Sequence, residues 1–121
     1  MATMNKVMEK LDRIKPHVYT ASEVYDWLSR LDGMVSMQVH GTVEPVRYQL
    51  PDEADKELLV PFPFDDIYEL YASAMIDYHN KEYNNYNNAM LMFSERMDAY
   101  RNWYIQHNAH GKAGNYRHVM G

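Results

Sequence analysis

The sequence predicts an all-α fold, a small helical bundle of about four helices with a long proline-rich connection and a mobile C-terminal tail. Three observations lead to this prediction. Apolar residues recur at intervals of three and four along several windows. Capping or helix-breaking residues lie at the ends of those windows, and the alternating pattern typical of β-strands is missing. With 121 residues, 46% of them hydrophobic, the chain is long enough to bury a single core.

Helix one is predicted from Met4 to Lys15. Thr3 is a suitable N-cap, and Pro16 stops the helix because proline cannot continue the hydrogen-bond ladder. The apolar positions of this window form a narrow stripe: Met4, Val7, Met8, Leu11 and Ile14.

Helix two is predicted to follow Thr20-Ala21-Ser22-Glu23, which has the spacing of a capping box, and Gly41 is the expected C-terminal cap. Its apolar positions are Val24, Trp27, Leu28, Leu31, Met34 and Val35. Gly33 lies inside the pattern at a cost of about 1 kcal/mol relative to alanine. We expect either a bend there or the close approach of another backbone.

A connection from Thr42 to Phe64 holds four of the five prolines and is expected to run extended, with at most a short strand or helical turn. Loops of this length in small domains are usually functional or packed along a surface. The residues expected to anchor it are Leu58, Leu59, Val60, Phe62 and Phe64.

Helix three is predicted to start near Asp65 or Asp66, whose carboxylates suit the positive end of a helix dipole. Its expected core face is Ile67, Leu70, Tyr71, Ala74, Met75 and Tyr78, and that of helix four is Met90, Phe93, Met97, Tyr100, Trp103, Tyr104 and His107. Asparagines between the two have poor helix propensity. Either a short break near Asn84 to Asn88 or one long bent helix is expected.

The domain prediction is a helical domain over residues 1–107 and a flexible tail over residues 108–121, which contains Gly111, Gly114 and Gly121. No apolar run approaches the ~20 residues of a membrane span, and the N-terminus lacks a signal-peptide core. We therefore expect a soluble, cytosolic chain without membrane contact.

Charge is unevenly distributed over a formal net of −5. The segment Asp52 to Glu69 holds seven acids and one base, whereas Arg101 to Gly121 holds three bases and no acid. This balance argues against a dedicated nucleic-acid binder, which usually carries a basic patch. Solubility with a solvated tail, or head-to-tail contact between copies, would both explain the asymmetry.

No catalytic centre, cofactor site or metal site is predicted. Without cysteine there is no thiolate ligand or nucleophile. His107 and His110 have i, i+3 spacing with His118 nearby, but a structural metal needs a closed shell of about four ligands. No glutamate has a histidine three residues on, as di-metal bundles require, and serines lack a nucleophile-elbow frame.

Tyrosine is the most unusual component, with eleven tyrosines against three phenylalanines. Tyrosine at helical spacing is commonly core, but its ring and hydroxyl also suit protein interfaces. The ten methionines add adaptable apolar surface or core filling. Interface candidates from the sequence are Tyr68, Tyr78, Tyr83, Tyr86, Tyr116 and Arg117.

Five short motifs resemble those of a known family. They are Asp12-Arg13-Ile14-Lys15-Pro16, Trp27-Leu28-Ser29-Arg30-Leu31-Asp32-Gly33, Glu57-Leu58-Leu59-Val60-Pro61-Phe62-Pro63-Phe64-Asp65-Asp66-Ile67-Tyr68, Ile76-Asp77-Tyr78-His79-Asn80 and Tyr86-Asn87-Asn88-Ala89-Met90. Over roughly Asn5 to His107 the chain is similar to small proteins encoded beside capsid genes in tailed phages and prophages of Gram-positive bacteria. These in turn resemble the head–tail connector, or adaptor, family.

The resemblance implies a non-enzymatic virion protein at the neck, assembled in the host cytoplasm. Such proteins form a ring, typically of twelve copies, beneath the portal and extend its DNA channel. The implied partners are the portal, copies of the chain itself, and a downstream neck or tail protein. DNA would pass without specific binding, and an acidic lining from Asp52 to Glu69 would suit that passage because basic contacts create affinity for phosphate. Alternatives are a tail-completion or stopper protein, a small DNA-binding regulator and an enzyme.

Overall fold

The computed structural model describes residues 2–15 and 17–120, with only the backbone described for residues 109–120. Within these ranges the chain forms four helices: α1 (Met4–Ile14), α2 (Ala21–Gln38), α3 (Ile67–His79) and α4 (Tyr83–Met120). Over the described ranges no strand forms, and the sole β-type pairing is an isolated antiparallel bridge between Thr3 and Glu57. The predicted all-α small bundle is confirmed.

Helix α1 begins where the sequence predicts and ends one residue earlier, at Ile14. The Thr3 hydroxyl accepts a hydrogen bond from the Lys6 amide at 3.2 Å, which confirms the N-cap. Met4, Val7 and Leu11 are buried, as the stripe predicts. Ile14 is exposed, so its predicted core position is wrong, because the stripe leaves the bundle in the last turn of α1.

Helix α2 carries the predicted capping box. The Thr20 hydroxyl accepts from the Glu23 amide at 3.2 Å and donates to Glu23 Oε1 at 3.1 Å. Near Gly33, the connection packs so closely that a Cβ would lie 3.5 Å from both the Pro45 Cβ and the Val46 carbonyl oxygen. Of the two alternatives for Gly33, close approach of another backbone is therefore the one observed.

Residues 39–66 join α2 to α3 through turns and the single bridge. Leu58 and Val60 are buried in the core, and Phe64 packs partly against it. Phe62 is 80% exposed, so the prediction that it anchors the connection is wrong. The turn from Pro61 to Phe64, closed by the Phe64 amide donating to the Pro61 carbonyl at 2.9 Å, directs the Phe62 ring outward.

The break between α3 and α4 lies at residues 80–82, earlier than predicted. The Lys81 amide donates to the Tyr78 carbonyl at 3.1 Å and the Glu82 amide to the Asp77 carbonyl at 2.8 Å, with Lys81 at φ 61°. This is a Schellman motif with lysine in the place that glycine usually takes. Asn84 to Asn88 are helical and mostly exposed, because their amides reach solvent from the first turns of α4. Neither predicted alternative, a break near Asn84 to Asn88 or one long bent helix, is observed, because the two helices separate at residues 80–82.

Helix α3 buries Ile67 and Ala74 as predicted, but the rest of its buried face differs from the predicted one. Its buried residues are Ile67, Tyr68, Ala72, Ala74, Ile76 and Asp77, whereas Tyr78 is exposed and Tyr71 half-buried. The position of the connection decides this, since the Val60 amide donates to the Tyr68 hydroxyl and thus lies on the Tyr68 side of the helix.

Helix α4 lies along α3 and leaves most of its own apolar face partly uncovered. Of the predicted core residues of α4, Tyr100 is buried, Phe93, Met97 and Tyr104 are half-buried, and Trp103 and His107 are exposed. The helix continues to Met120. The mobility proposed for residues 108–121 and the two-part domain division stay predictions.

Candidate interaction surfaces

A buried aspartate on α2 connects three parts of the chain. Asp32 is completely buried, and its carboxylate accepts hydrogen bonds from the hydroxyl of Tyr48, the hydroxyl of Tyr68 at 2.6 Å and the amide of Leu59 at 3.0 Å. The Tyr68 hydroxyl in turn accepts from the Val60 amide at 2.8 Å. We call these residues the Asp32 network.

Burial and hydrogen bonding affect the pKa values of the groups in the Asp32 network. Burial raises the pKa of Asp32, and the hydrogen bonds from Tyr48, Tyr68 and Leu59 oppose that rise. The pKa of Tyr68 is raised by burial and then by the charge of Asp32, so its hydroxyl stays a donor. A carboxylate that accepts several hydrogen bonds is stabilised in its charged form. The network therefore holds the connection against α2 and α3, with Asp32 and Tyr68 fully buried at its centre.

A further buried carboxylate joins α1 to α3. Asp77 is 2% exposed at its side chain, and its Oδ1 lies 2.6 Å from the Lys15 ammonium. A buried charge is tolerated when it is paired, so this ion pair fixes the C-terminal end of α1 beside α3. Sequence reasoning missed both Asp32 and Asp77. Each lies in one of the five motifs quoted above, which was the signal that could have found them.

Aromatic side chains gather around the turn between α3 and α4. The Tyr78 ring packs near those of Tyr86 and Tyr83, with ring centroids 5.3 Å and 6.1 Å away. The group extends through His79, which stacks on Trp27 at 5.7 Å, to Tyr19, whose hydroxyl donates to the Asn80 side-chain oxygen at 3.1 Å. We call the turn cluster the set Tyr19, Trp27, Tyr78, His79, Tyr83 and Tyr86.

The turn cluster is accessible. Tyr78 is 48% and Tyr83 53% exposed, and an open depression of about 540 Å³ beside Tyr19, Trp27 and His79 is bordered by Glu23 and Asp26. The Schellman motif places Tyr83 and Tyr86 next to Tyr78 by reversing the chain direction within three residues. The cluster is therefore a preformed aromatic surface at one end of the bundle.

Another aromatic group lies at the opposite end of α3, around the buried ring of Tyr100. The His40 ring stacks on Tyr104 at 4.4 Å, its Nε2 lies 2.6 Å from the Tyr100 hydroxyl, and Phe64 packs against Tyr100 and Trp103. Burial lowers the pKa of His40, with the charge of Asp32 opposing it, and burial raises the pKa of Tyr100 to about 12. This group attaches α4 to the end of α2.

A recess of about 180 Å³ separates α2 from α4. Its apolar lining consists of Leu31, Met34, Val35, Phe93 and Met97, and its polar rim of Gln38, Ser94, Asp98 and Arg101. Leu31 and Val35 belong to the buried core, whereas Met34 is 43% exposed. The recess is thus an apolar opening that reaches the core from the surface.

The structure separates the predicted interface candidates. Tyr78, Tyr83 and Tyr86 come together in the turn cluster, with Tyr86 half-buried. Tyr68 must be reassigned to the core, because it is completely buried and its hydroxyl is engaged in the Asp32 network. The side chains of Tyr116 and Arg117 lie outside the described residues.

Part of the acidic segment is paired within the chain. Asp66 lies 3.2 Å from Arg96 and Glu69 lies 2.9 Å from Lys10, and Asp66 makes no side-chain capping bond to α3. These ion pairs neutralise some of the excess negative charge between Asp52 and Glu69.

Among the side chains that the structure describes, no group of three or more histidines and carboxylates could hold a metal ion. His107 makes a local contact, with Nδ1 2.9 Å from the Trp103 carbonyl oxygen; the side chains of His110 and His118 are not among those described. In the described part of the chain, no helix is long and apolar enough to cross a membrane.

No protein-family model, curated protein or solved structure matches this chain.

Proposed function

We propose that this chain is a head–tail connector subunit that forms a ring beneath the portal of a tailed phage. The sequence motifs quoted above support the proposal, and the turn cluster is the structural observation that carries it. Four tyrosines and a tryptophan are held together on one surface, and contacts within the subunit leave Tyr78 and Tyr83 about half exposed. Aromatic residues of this kind are enriched at protein interfaces.

The placement of exposed apolar groups fits a subunit with several neighbours. The turn cluster lies at one end of α3, whereas the α2–α4 recess and Phe62 lie on other parts of the surface. A ring subunit needs contacts with a copy on each side and with the portal above. The described chain also contains no strand, which counts against a β-rich stopper protein.

The decisive experiment is negative-stain imaging of the purified chain mixed with its portal. A ring that caps the portal is the expected result. Portal particles without an added density at any protein ratio would contradict the proposal.

The C-terminal segment provides a second test. Deletion of Asn108 to Gly121 is expected to abolish portal binding. The sequence predicts that this segment is mobile in the free chain, and mobile segments often become ordered on a partner. The bundle itself should retain its unfolding midpoint, since the core residues among the described side chains precede this segment. Binding that is unchanged by the deletion would show that the segment does not dock on the portal.

A filter-binding titration with duplex DNA at low salt distinguishes the regulator alternative. A connector that lets DNA slide is expected to bind weakly, whereas strong and salt-sensitive affinity would indicate a DNA-binding regulator. An assembled ring with the Asp52 to Glu69 acids on its outer surface would contradict the proposed acidic lining of the channel.

A further inference from the structure

Phe62 is an exposed ring on a firmly held turn. Its neighbours on both sides are fixed: Val60 is buried and bonded to Tyr68, and Phe64 packs against Tyr100 and Trp103. Pro61 and Pro63 restrict the backbone between these anchors. Because the turn is already ordered, a partner that binds the Phe62 ring incurs little additional loss of conformational entropy.

The α2–α4 recess has the size and lining for one such ring. Its volume of about 180 Å³ is close to that of a cavity of ~150 Å³ lined by apolar side chains that binds benzene. Met34 and Met97 on its walls can adjust their shape to a flat aromatic group. Arg101 at the rim, which lies 3.1 Å from Asp98 of the same chain, carries a charge opposite to that of Asp65, which follows Phe62 in the acidic segment. Asp66 is paired with Arg96 within its own chain, so the apolar lining is the main ground for the fit.

We propose that the Phe62 ring of one copy of this chain inserts into the α2–α4 recess of the next copy. This inference rests on the proposed ring and names the contact that would build it. The donor turn and the receiving recess are different surfaces of one chain, so the contact is head-to-tail. Repetition of a head-to-tail contact produces a closed ring when the rotation closes.

The contact is expected to be weak between two isolated copies. A buried phenylalanine contributes roughly 150–250 Å², whereas a stable interface buries about 800 Å² per partner. Association should therefore require high protein concentration or a template such as the portal. The turn cluster and other surfaces would supply the remaining area in the ring.

Two single variants separate the two halves of the contact. Phe62→Ala removes the inserted ring, and Ser94→Trp fills the recess from its rim. Each is expected to weaken self-association at least tenfold in sedimentation velocity experiments up to millimolar concentration. Val43→Ala is the matched control, because Val43 is 92% exposed in the same connection but is neither on the turn nor in the recess, and it should associate like wild type.

Mixing the two variants gives the sharpest result. The Phe62→Ala copy keeps an open recess and the Ser94→Trp copy keeps the Phe62 ring. In sedimentation velocity at the millimolar concentration used for wild type, an equimolar mixture should therefore form 1:1 pairs and nothing larger. Met34→Glu, which places a charge in the recess, replaces Ser94→Trp if that variant does not fold. Wild-type association by Phe62→Ala, or a mixture that stays monomeric while wild type associates, overturns the inference.

Imaging with the portal distinguishes this inference from the proposed function. If wild type and Phe62→Ala assemble into rings on the portal with equal yield, the proposed insertion of the Phe62 side chain is wrong and the connector function stands. If wild type forms no ring there and remains monomeric at millimolar concentration, both are wrong.

Discussion

The Asp32 network and the turn cluster both depend on tyrosine, but they use it in opposite ways. In the Asp32 network, the Tyr68 hydroxyl is buried between a carboxylate and a backbone amide, so both of its hydrogen-bonding functions are satisfied. In the turn cluster, Tyr78 and Tyr83 pack ring against ring and remain about half exposed. The abundance of tyrosine therefore does not by itself indicate an interface, since its burial and the partner of its hydroxyl decide its role.

The two regions also differ in what their loss should do. Removal of a group from the Asp32 network leaves buried donors without partners, which is costly. Removal of a ring from the turn cluster exposes little additional apolar surface, because the cluster already lies in contact with water. Mutations in the network should therefore change folding stability, and mutations in the cluster should change binding.

The largest effect is expected for Asp32→Ala. The change leaves the Tyr48 and Tyr68 hydroxyls and the Leu59 amide without their acceptor, and we expect a loss of about 3–4 kcal/mol in the free energy of unfolding. Urea denaturation followed by circular dichroism measures it. Asp32→Asn, which keeps one oxygen, should lose less, and a wild-type midpoint for Asp32→Ala would contradict the role of the network.

Tyr68→Phe is the next most damaging change. It removes only the hydroxyl, which leaves the Val60 amide unsatisfied and Asp32 with one donor fewer, and it should cost about 2 kcal/mol in unfolding free energy. The matched control is Tyr78→Phe, which removes a hydroxyl from the exposed cluster and should stay within about 0.5 kcal/mol of wild type. Equal effects of the two changes would mean that burial does not distinguish these tyrosines.

In the turn cluster, Tyr83→Ser should weaken binding to the portal at least tenfold, which corresponds to about 1.4 kcal/mol. Its unfolding free energy should change by less than about 0.5 kcal/mol, because Tyr83 is 53% exposed. Biolayer interferometry on immobilised portal, combined with urea denaturation, separates the two quantities. Unchanged portal affinity would remove the turn cluster from the proposed contact surfaces.

The smallest effect concerns pH. Burial lowers the pKa of His40 in the folded chain, so the unfolded chain binds the proton more readily. His40 therefore contributes stability above its unfolded pKa near 6.5, and that contribution decreases as pH falls through the folded pKa. His40→Phe, which keeps a ring beside Tyr104, should lose less stability than wild type between pH 7.5 and pH 5.5.

The comparison of those two unfolding curves isolates His40, because the other histidines are present in both proteins. Parallel pH dependence of the unfolding free energy in wild type and His40→Phe would show that the folded chain accommodates the His40 ring equally well in both protonation states.

The sequence alone determined the helices that have strong local signals. Thr3 and Thr20 cap α1 and α2 through hydrogen bonds to amides three residues away, and such contacts depend only on neighbouring residues. The apolar spacing also identified the buried faces of α1 and most of α2. Local chemistry was sufficient for these elements because their helical geometry follows from residues within one or two turns.

Tertiary structure decided which tyrosines are buried, where α3 ends and which carboxylates enter the core. Tyr68 is internal because the connection folds back over α3. The Schellman turn has Lys81 at the position where glycine is usual, so the sequence does not indicate a turn there. Asp32 is buried because residues far along the chain supply its donors. These outcomes depend on contacts between distant segments, and periodicity within a single helix contains no information about them.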